Sequence, residues 1–152
     1  MKLSMIVPCY NEAENVQAFQ DAVIEAFRDC GYDYELIFVD DGSHDATLHN
    51  LKKMFAQQKC PMKVVSFSRN FGKESAIYAG MEHADGEYIC LIDADLQQRP
   101  EIVRDMVKIL DEQPEYDVVA AYQDRRNEGK ILSFFKKSFY ALINKLSNVK
   151  LQ

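Results

Sequence analysis

The sequence predicts an α/β fold, a mainly parallel sheet with helices on both faces. Three observations carry this. Short apolar runs alternate with longer segments of helical periodicity from residue 3 to residue 122. Most of the short runs are continuously apolar, the pattern of strands buried on both faces. The chain has 152 residues and 47% hydrophobic content, enough for one domain with a sizeable core.

Residues 3–9 (LSMIVPC) read as the first strand, and residues 12–30 as a helix in which Val16, Phe19, Val23, Ile24 and Phe27 recur on one face. Residues 34–40 (YELIFVD) form a second strand, and 44–58 a helix with Ser43 or Asp45 as its cap. A third strand is expected at 63–68, a third helix at 73–84 and a fourth strand at 87–93. Pro100 suits the first turn of a helix running to Leu110, and 116–122 (YDVVAAY) reads as a fifth strand. Parallel neighbours need a crossover, usually a helix, so the alternation itself implies the sheet.

Composition removes several classes. A net charge of -6 argues against a general nucleic-acid binder, which needs a basic surface. No run reaches the roughly 18 apolar residues of a membrane-spanning helix. The apolar stretch after Lys2 is short, interrupted by Ser4 and stopped by Pro8, so it does not read as a secretion signal; a cytoplasmic location is expected. Cys9, Cys30, Cys60 and Cys90 contain no Cys-x-x-Cys pair, which points to reduced thiols rather than a zinc site or disulfides. His44, His49 and His83 are isolated and read as solvated or capping side chains.

Ligands of parallel α/β sheets bind beyond the carboxyl ends of the strands. Here those ends read PCYNEAEN, VDDGSHD, SRNFGKE and DADLQQRPE. Turn chemistry explains each singly, but four such loops on one edge point to a site. The loop after the first strand lacks the Gly-x-Gly-x-x-Gly of dinucleotide-binding folds, and no Gly-x-x-x-x-Gly-Lys-Ser/Thr occurs. A phosphate without a glycine cradle needs another holder. Asp93 and Asp95 flank the small Ala94, a spacing that turns both carboxylates into one pocket, and Gln97 can add an amide oxygen. Magnesium or manganese takes one or two carboxylates and completes its shell with phosphates and water. The structural alternative is that Asp93 ends the strand and Asp95 starts the next turn. Asp40, closing the second strand, is placed to accept from a base or ribose, while Asp41 is given partly to the Asp41-Gly42-Ser43 turn.

Together, IVPCYNEAENV, FVDDGSHDAT and SFSRNFGKESAIYAGMEHADGEYICLIDADLQQRPE resemble the family 2 glycosyltransferases of the Rossmann-like GT-A fold. The resemblance spans most of residues 4–101 and is strongest to the polyprenyl-phosphate subgroup, the dolichol-phosphate mannosyltransferases and undecaprenyl-phosphate glucosyltransferase-like proteins. It implies a site for a UDP- or GDP-sugar donor. By motif position Pro8, Tyr10, Asn11 and Glu12 line the nucleotide, Asp40 and Asp41 lie at the base or ribose, and Asn70, Gly72 and Lys73 stand beside the donor. Asp93, Ala94 and Asp95 meet the diphosphate, with Asp93, Asp95 and Gln97 as ligands of Mg2+ or Mn2+. The sequence departs from the family at Gln98-Arg99 and at Gln123, where a phosphate-facing basic residue is expected; Arg126 is the preferred substitute, catalytic with Asp93 and Asp95.

The implied activity is metal-dependent inverting transfer of a sugar to an acceptor, with polyprenyl phosphate favoured; the alternatives are a non-catalytic nucleotide-sugar-binding module and, ranked last, a phosphatase-like hydrolase. The expected domains are 1–125, the donor-binding region, and 126–152, the start of an acceptor or membrane-interface region. Residues 130–150 hold five lysines and no acid, with Ile131, Phe134, Phe135, Phe139, Leu142, Ile143 and Leu146 on one helical face. That segment suits the cytoplasmic face of an anionic membrane or, equally, packing on the sheet. Family members run further, so either the chain is expected to be truncated or its acceptor site is completed by another chain, a second copy included.

Overall fold

Strand Leu3–Cys9 (β1) is central because its side chains are apolar in both directions: Leu3, Met5, Val7 and Cys9 enter one core, and Ile6 meets the helix on the other face. The computed structural model describes residues 2–121. In chain order the elements are β1, α1 (Val16–Phe27), β2 (Tyr34–Asp40), α2 (Thr47–Gln57), β3 (Met62–Ser66), α3 (Lys73–Glu82), β4 (Tyr88–Leu91) and α4 (Pro100–Glu112). All strand pairs are parallel, in the order β3-β2-β1-β4. The predicted α/β architecture is therefore present, and Met1–Ala120 forms one compact unit.

The larger core lies on the face covered by α1, α2 and α4. Phe19 and Phe27 of α1, Leu51 and Met54 of α2, and Val103 and Val107 of α4 close over Met5, Val7, Leu36 and Phe38. The opposite face carries α3, where Ala76 packs with Ile37 and Val39. Gly80 lets α3 approach the sheet: a Cβ there would lie 2.4 Å from Ile6 Cγ2.

A polar cluster fixes the entry to β4. Glu35, buried at the start of β2, accepts from Ser4 Oγ at 2.7 Å and from the Asp85 backbone N–H at 2.9 Å, and pairs with Lys63 Nζ at 2.8 Å. Lys63 also meets Asp85 at 2.6 Å, and the Gly86 N–H donates to Ser4 Oγ at 2.8 Å. A buried carboxylate is tolerated because its lone pairs are engaged.

Three expectations change. The second helix begins at Thr47 with Ala46 at its N-cap, so neither Ser43 nor Asp45 occupies that position; Asp45 accepts from the Thr47 N–H in the turn before it. Helix 12–30 shortens to Val16–Phe27, because Asn11 adopts a left-handed φ of 57° and Glu12–Asn15 form a turn closed by Asn15 N–H to the Glu12 carbonyl. The fifth strand does not form among the described residues: 116–121 carry no ladder, and Val118 is 78% exposed. Its apolar composition satisfied strand periodicity, but α4 lies on the α1 face. A parallel strand beyond β4 reached from that face would need a left-handed crossover, which parallel sheets avoid. Residues 126–152, including Arg126 and the amphipathic 130–150 segment, lie outside the described residues.

Candidate functional site

The strand order reverses direction at β1. The chain moves from β1 to β2 to β3 on one side and then returns to place β4 on the other. The β1–β4 ladder stops at Ile6 with Leu91, whereas the β1–β2 ladder runs on to Cys9 with Asp40, so β1 and β4 part before their loops begin. Pro8 enforces the parting. The β1–β4 ladder runs from Lys2 carbonyl with Tyr88 N–H to Ile6 carbonyl with Ile92 N–H. In a parallel ladder the next rung needs an N–H from residue 8, and proline has none.

Beyond Pro8, the β1 loop is stitched to the loop after β2. The Asn11 N–H donates to Ser43 Oγ at 2.9 Å, and Asn11 Oδ1 accepts from the His44 N–H at 2.9 Å. The Glu12 N–H donates to Thr47 Oγ1 at 2.8 Å, and the Ala13 N–H to Asp45 Oδ2 at 3.2 Å. Asp45 in turn accepts from the Thr47 N–H at 2.9 Å and the Thr47 hydroxyl at 2.5 Å. Tyr10 is left 42% exposed at the mouth, its ring edge-on to His44. Glu12 accepts from Asn15 Nδ2 at 2.6 Å.

Asp40 and Asp41 are both buried, at 1% and 3% exposure. Asp40 accepts from the Ser43 N–H and from Ser66 Oγ, each at 3.2 Å. Asp41 faces the loop after β3 and accepts from the Phe71 N–H at 2.7 Å and the Gly72 N–H at 2.9 Å. Gly42, at φ +67°, lies against that loop so closely that a Cβ would be 2.3 Å from the Arg69 carbonyl carbon. The Asn70–Gly72 segment is thus pinned to the end of β2, with the Arg69 guanidinium over the Phe71 ring. Gly72, at φ +99°, is the N-cap residue of α3.

Lys73, the first residue of α3, extends to Asp93, and its Nζ meets Asp93 Oδ1 at 2.5 Å. Ala94 is buried, whereas Asp95 is exposed and accepts from the Gln97 N–H at 3.0 Å. Leu96 supplies the left-handed turn at φ 59° that returns the chain toward α4. The Gln97 side chain is exposed, and its observed contact is through its backbone. Carboxylates after β1, at the end of β2 and after β4 all act on Cys9 at the end of β1. Burial pushes the Cys9 thiol well above its ordinary pKa, and Glu12, Asp40 and Asp93 push it the same way.

The structure therefore joins Lys73 to Asp93, Asp41 to Gly72, and the Tyr10–Glu12 loop to the loop after β2. Asn70 is exposed beside these contacts. Sequence reasoning passed over Thr47 and Ser66, which hold the loops from beneath. Thr47 had a signal in Asp45-Ala46-Thr47, since an aspartate two residues before a backbone N–H forms a local turn. Ser66 closes a strand and had none.

The donor set suits a hard cation. Asp93 and Asp95 offer carboxylate oxygens at an open mouth, and the Lys73 ammonium already stands against Asp93 as a positive charge. Among the described residues no three His, Cys, Asp or Glu side chains gather into a self-sufficient metal cage. A cation held here would complete its shell with phosphate and water oxygens.

Parallel strands split at β1 and β4, with oxygen-rich loops and no glycine cradle, define the class as an α/β domain of the GT-A type. The chain belongs to glycosyl transferase family 2, whose pattern matches residues 4–150. A prophage bactoprenol glucosyl transferase homolog of Escherichia coli K12 is 37% identical over 100% of this chain and 49% of its own length. The chain spans about half the length of the curated relatives it matches. S. aureus TarS 1–349 in complex with UDP superposes with a TM-score of 0.63 at 25% identity, over 84% of this chain and 40% of TarS. The mannosyltransferase PcManGT of Pyrobaculum calidifontis, in complex with GDP-Man and Mn2+, gives 0.62 at 28% identity, over 72% of this chain and 32% of its own.

Proposed function

We propose that this chain carries the donor site of a metal-dependent inverting glycosyltransferase that moves a sugar from a UDP- or GDP-sugar to polyprenyl phosphate at the cytoplasmic face of a membrane. The observation that carries the reading is the pair Asp93 and Asp95 at the β1–β4 split, one of them already holding a cationic side chain. The UDP complex of TarS, the GDP-Man and Mn2+ complex of PcManGT and the bactoprenol named for the E. coli relative support the ligand classes. The basic 130–150 segment supports the membrane face.

In this reading Pro8, Tyr10, Asn11 and Glu12 form the nucleotide wall, with Tyr10 exposed for contact with the base. Asp40 and Asp41 act from beneath, holding the loops that carry Ser43 and Asn70–Gly72. Asp93, Asp95 and Gln97 hold Mg2+ or Mn2+, which when bound neutralises charge on the departing diphosphate. Lys73 and Arg126 add positive charge at the same group. The acceptor oxygen forms a bond to the anomeric carbon as the bond to the diphosphate oxygen breaks. A phosphate monoester with a second pKa of about 6 is largely dianionic at pH 7 and needs no general base from the chain.

The test is calorimetric titration of the chain and of Asp95→Ala with UDP- and GDP-sugars, with and without manganese. Metal-dependent binding that is lost in the variant is expected; absence of such binding for every sugar overturns the proposal. Radiolabelled transfer to polyprenyl phosphate then separates an enzyme from a binding module.

A further inference from the structure

Lys73 is oddly placed for a helix residue. It opens α3, where the helix dipole disfavours a cation, and a surface lysine gains nothing from that position. What it gains is Asp93, at 2.5 Å. The Asp93 and Asp95 carboxylates are consequently unequal: Asp93 is neutralised internally, while Asp95 is engaged by the Gln97 backbone N–H and, among the described residues, meets no cation. A metal ion seated on both must first displace the ammonium.

The base of Lys73 cannot retreat with it. Asp41 holds the Phe71 and Gly72 N–H groups, and Gly42 lies against the Arg69–Asn70 backbone, so the residues just before Lys73 are fixed to β2. Only the four-carbon arm is free to swing, and both Lys73 and Asp93 side chains are partly exposed, at 53% and 39%. Once displaced, the ammonium stays in the mouth, within the arm's reach of whatever negative charge enters beside the metal.

We propose that Lys73 is a placeholder cation at the Asp93–Asp95 seat, exchanged for the metal and handed on to the donor diphosphate, so that it couples metal binding to nucleotide binding. This rests on the metal-dependent donor site proposed above. The diphosphate draws Lys73 away and frees Asp93 for the metal, and by linkage the metal frees Lys73 for the diphosphate. Lysine removal then has opposite effects on the two states. It relieves competition when no nucleotide is present, and it removes a diphosphate contact when one is.

The experiment measures Mn2+ binding by electron paramagnetic resonance for the 152-residue chain, Lys73→Met and Lys73→Arg, each with and without UDP. Without nucleotide, Lys73→Met should bind Mn2+ about three- to tenfold more tightly than the parent, the scale of losing one partly exposed competing charge. The factor by which UDP tightens Mn2+ should shrink in Lys73→Met and persist in Lys73→Arg, which keeps the charge. Circular dichroism checks that both variants are folded. If the parent binds Mn2+ and Lys73→Met binds it no more tightly without UDP, the placeholder role is overturned while the donor-site reading stands. If no chain binds Mn2+ even with UDP, the metal-dependent reading itself falls, and this inference with it.

Discussion

Asp41 accepts the Gly72 backbone N–H at 2.9 Å, across 31 residues of sequence, and holds Phe71 with its other oxygen. One buried carboxylate at the end of β2 thereby sets where α3 begins and where Lys73 starts its reach toward Asp93. Asp41→Ala should leave two N–H groups without their acceptor and cost about 3 kcal/mol, read as a lower urea midpoint. Donor affinity should fall with it, because the Asn70–Gly72 segment loses its anchor.

Gly42 and Gly31 separate two costs that are usually mixed. Both have positive φ, +67° and +73°, but a Cβ at Gly31 meets nothing within 4 Å, whereas at Gly42 it would strike the Arg69 and Asn70 backbone. Gly31→Ala should cost about 1 kcal/mol, the strain of the backbone conformation alone. Gly42→Ala should cost about 3 kcal/mol or more, because backbone must also move. Paired urea denaturation curves measure the difference.

Thr47 joins the loops after β1 and β2 through one hydroxyl, which accepts from the Glu12 N–H and donates to Asp45. Thr47→Val keeps the shape and removes both bonds, so a loss of about 2 kcal/mol is expected, together with weaker donor binding. Thr47→Ser retains the hydroxyl and should restore most of the binding; isothermal titration of both variants against UDP is the check.

Acid should weaken the entry to β4. Burial pushes the Glu35 carboxyl up, but Lys63, the Asp85 N–H and the Ser4 hydroxyl together hold it below its ordinary 4.5. The native state therefore binds this proton less readily than the unfolded chain. The stabilisation is complete above about pH 4.5 and is lost as pH falls through the lower folded value. Asp85, lowered by Lys63, contributes in the same direction. Stability measured against pH should fall less steeply below that point in Glu35→Gln than in the parent.

The sheet was legible because burial on both faces demands continuous apolar runs, and YELIFVD shows one. The polar strand ends of the candidate site were legible as such, since Tyr10, Asn11, Asp93 and Asp95 follow strands whose last backbone groups need partners. Lys73 with Asp93, and Asp41 with Gly72, were not, because nothing local records which loop a side chain reaches across the sheet. Residues 116–121 carry no ladder among the described residues for a related reason: periodicity reports what a segment can pair with, and the face on which α4 lies decides which parallel neighbour is in reach.

Pro8 has a consequence for affinity. The hydrogen it lacks is covalently absent, so the rung from the residue 8 N–H to the β4 side cannot form in any state of the fold. In the proposed donor-site reading, this end of the two strands is unpaired before a nucleotide arrives, so no ladder rung has to break there to admit it. Less of its interaction free energy is then spent on reorganising the host, and more survives as tight binding.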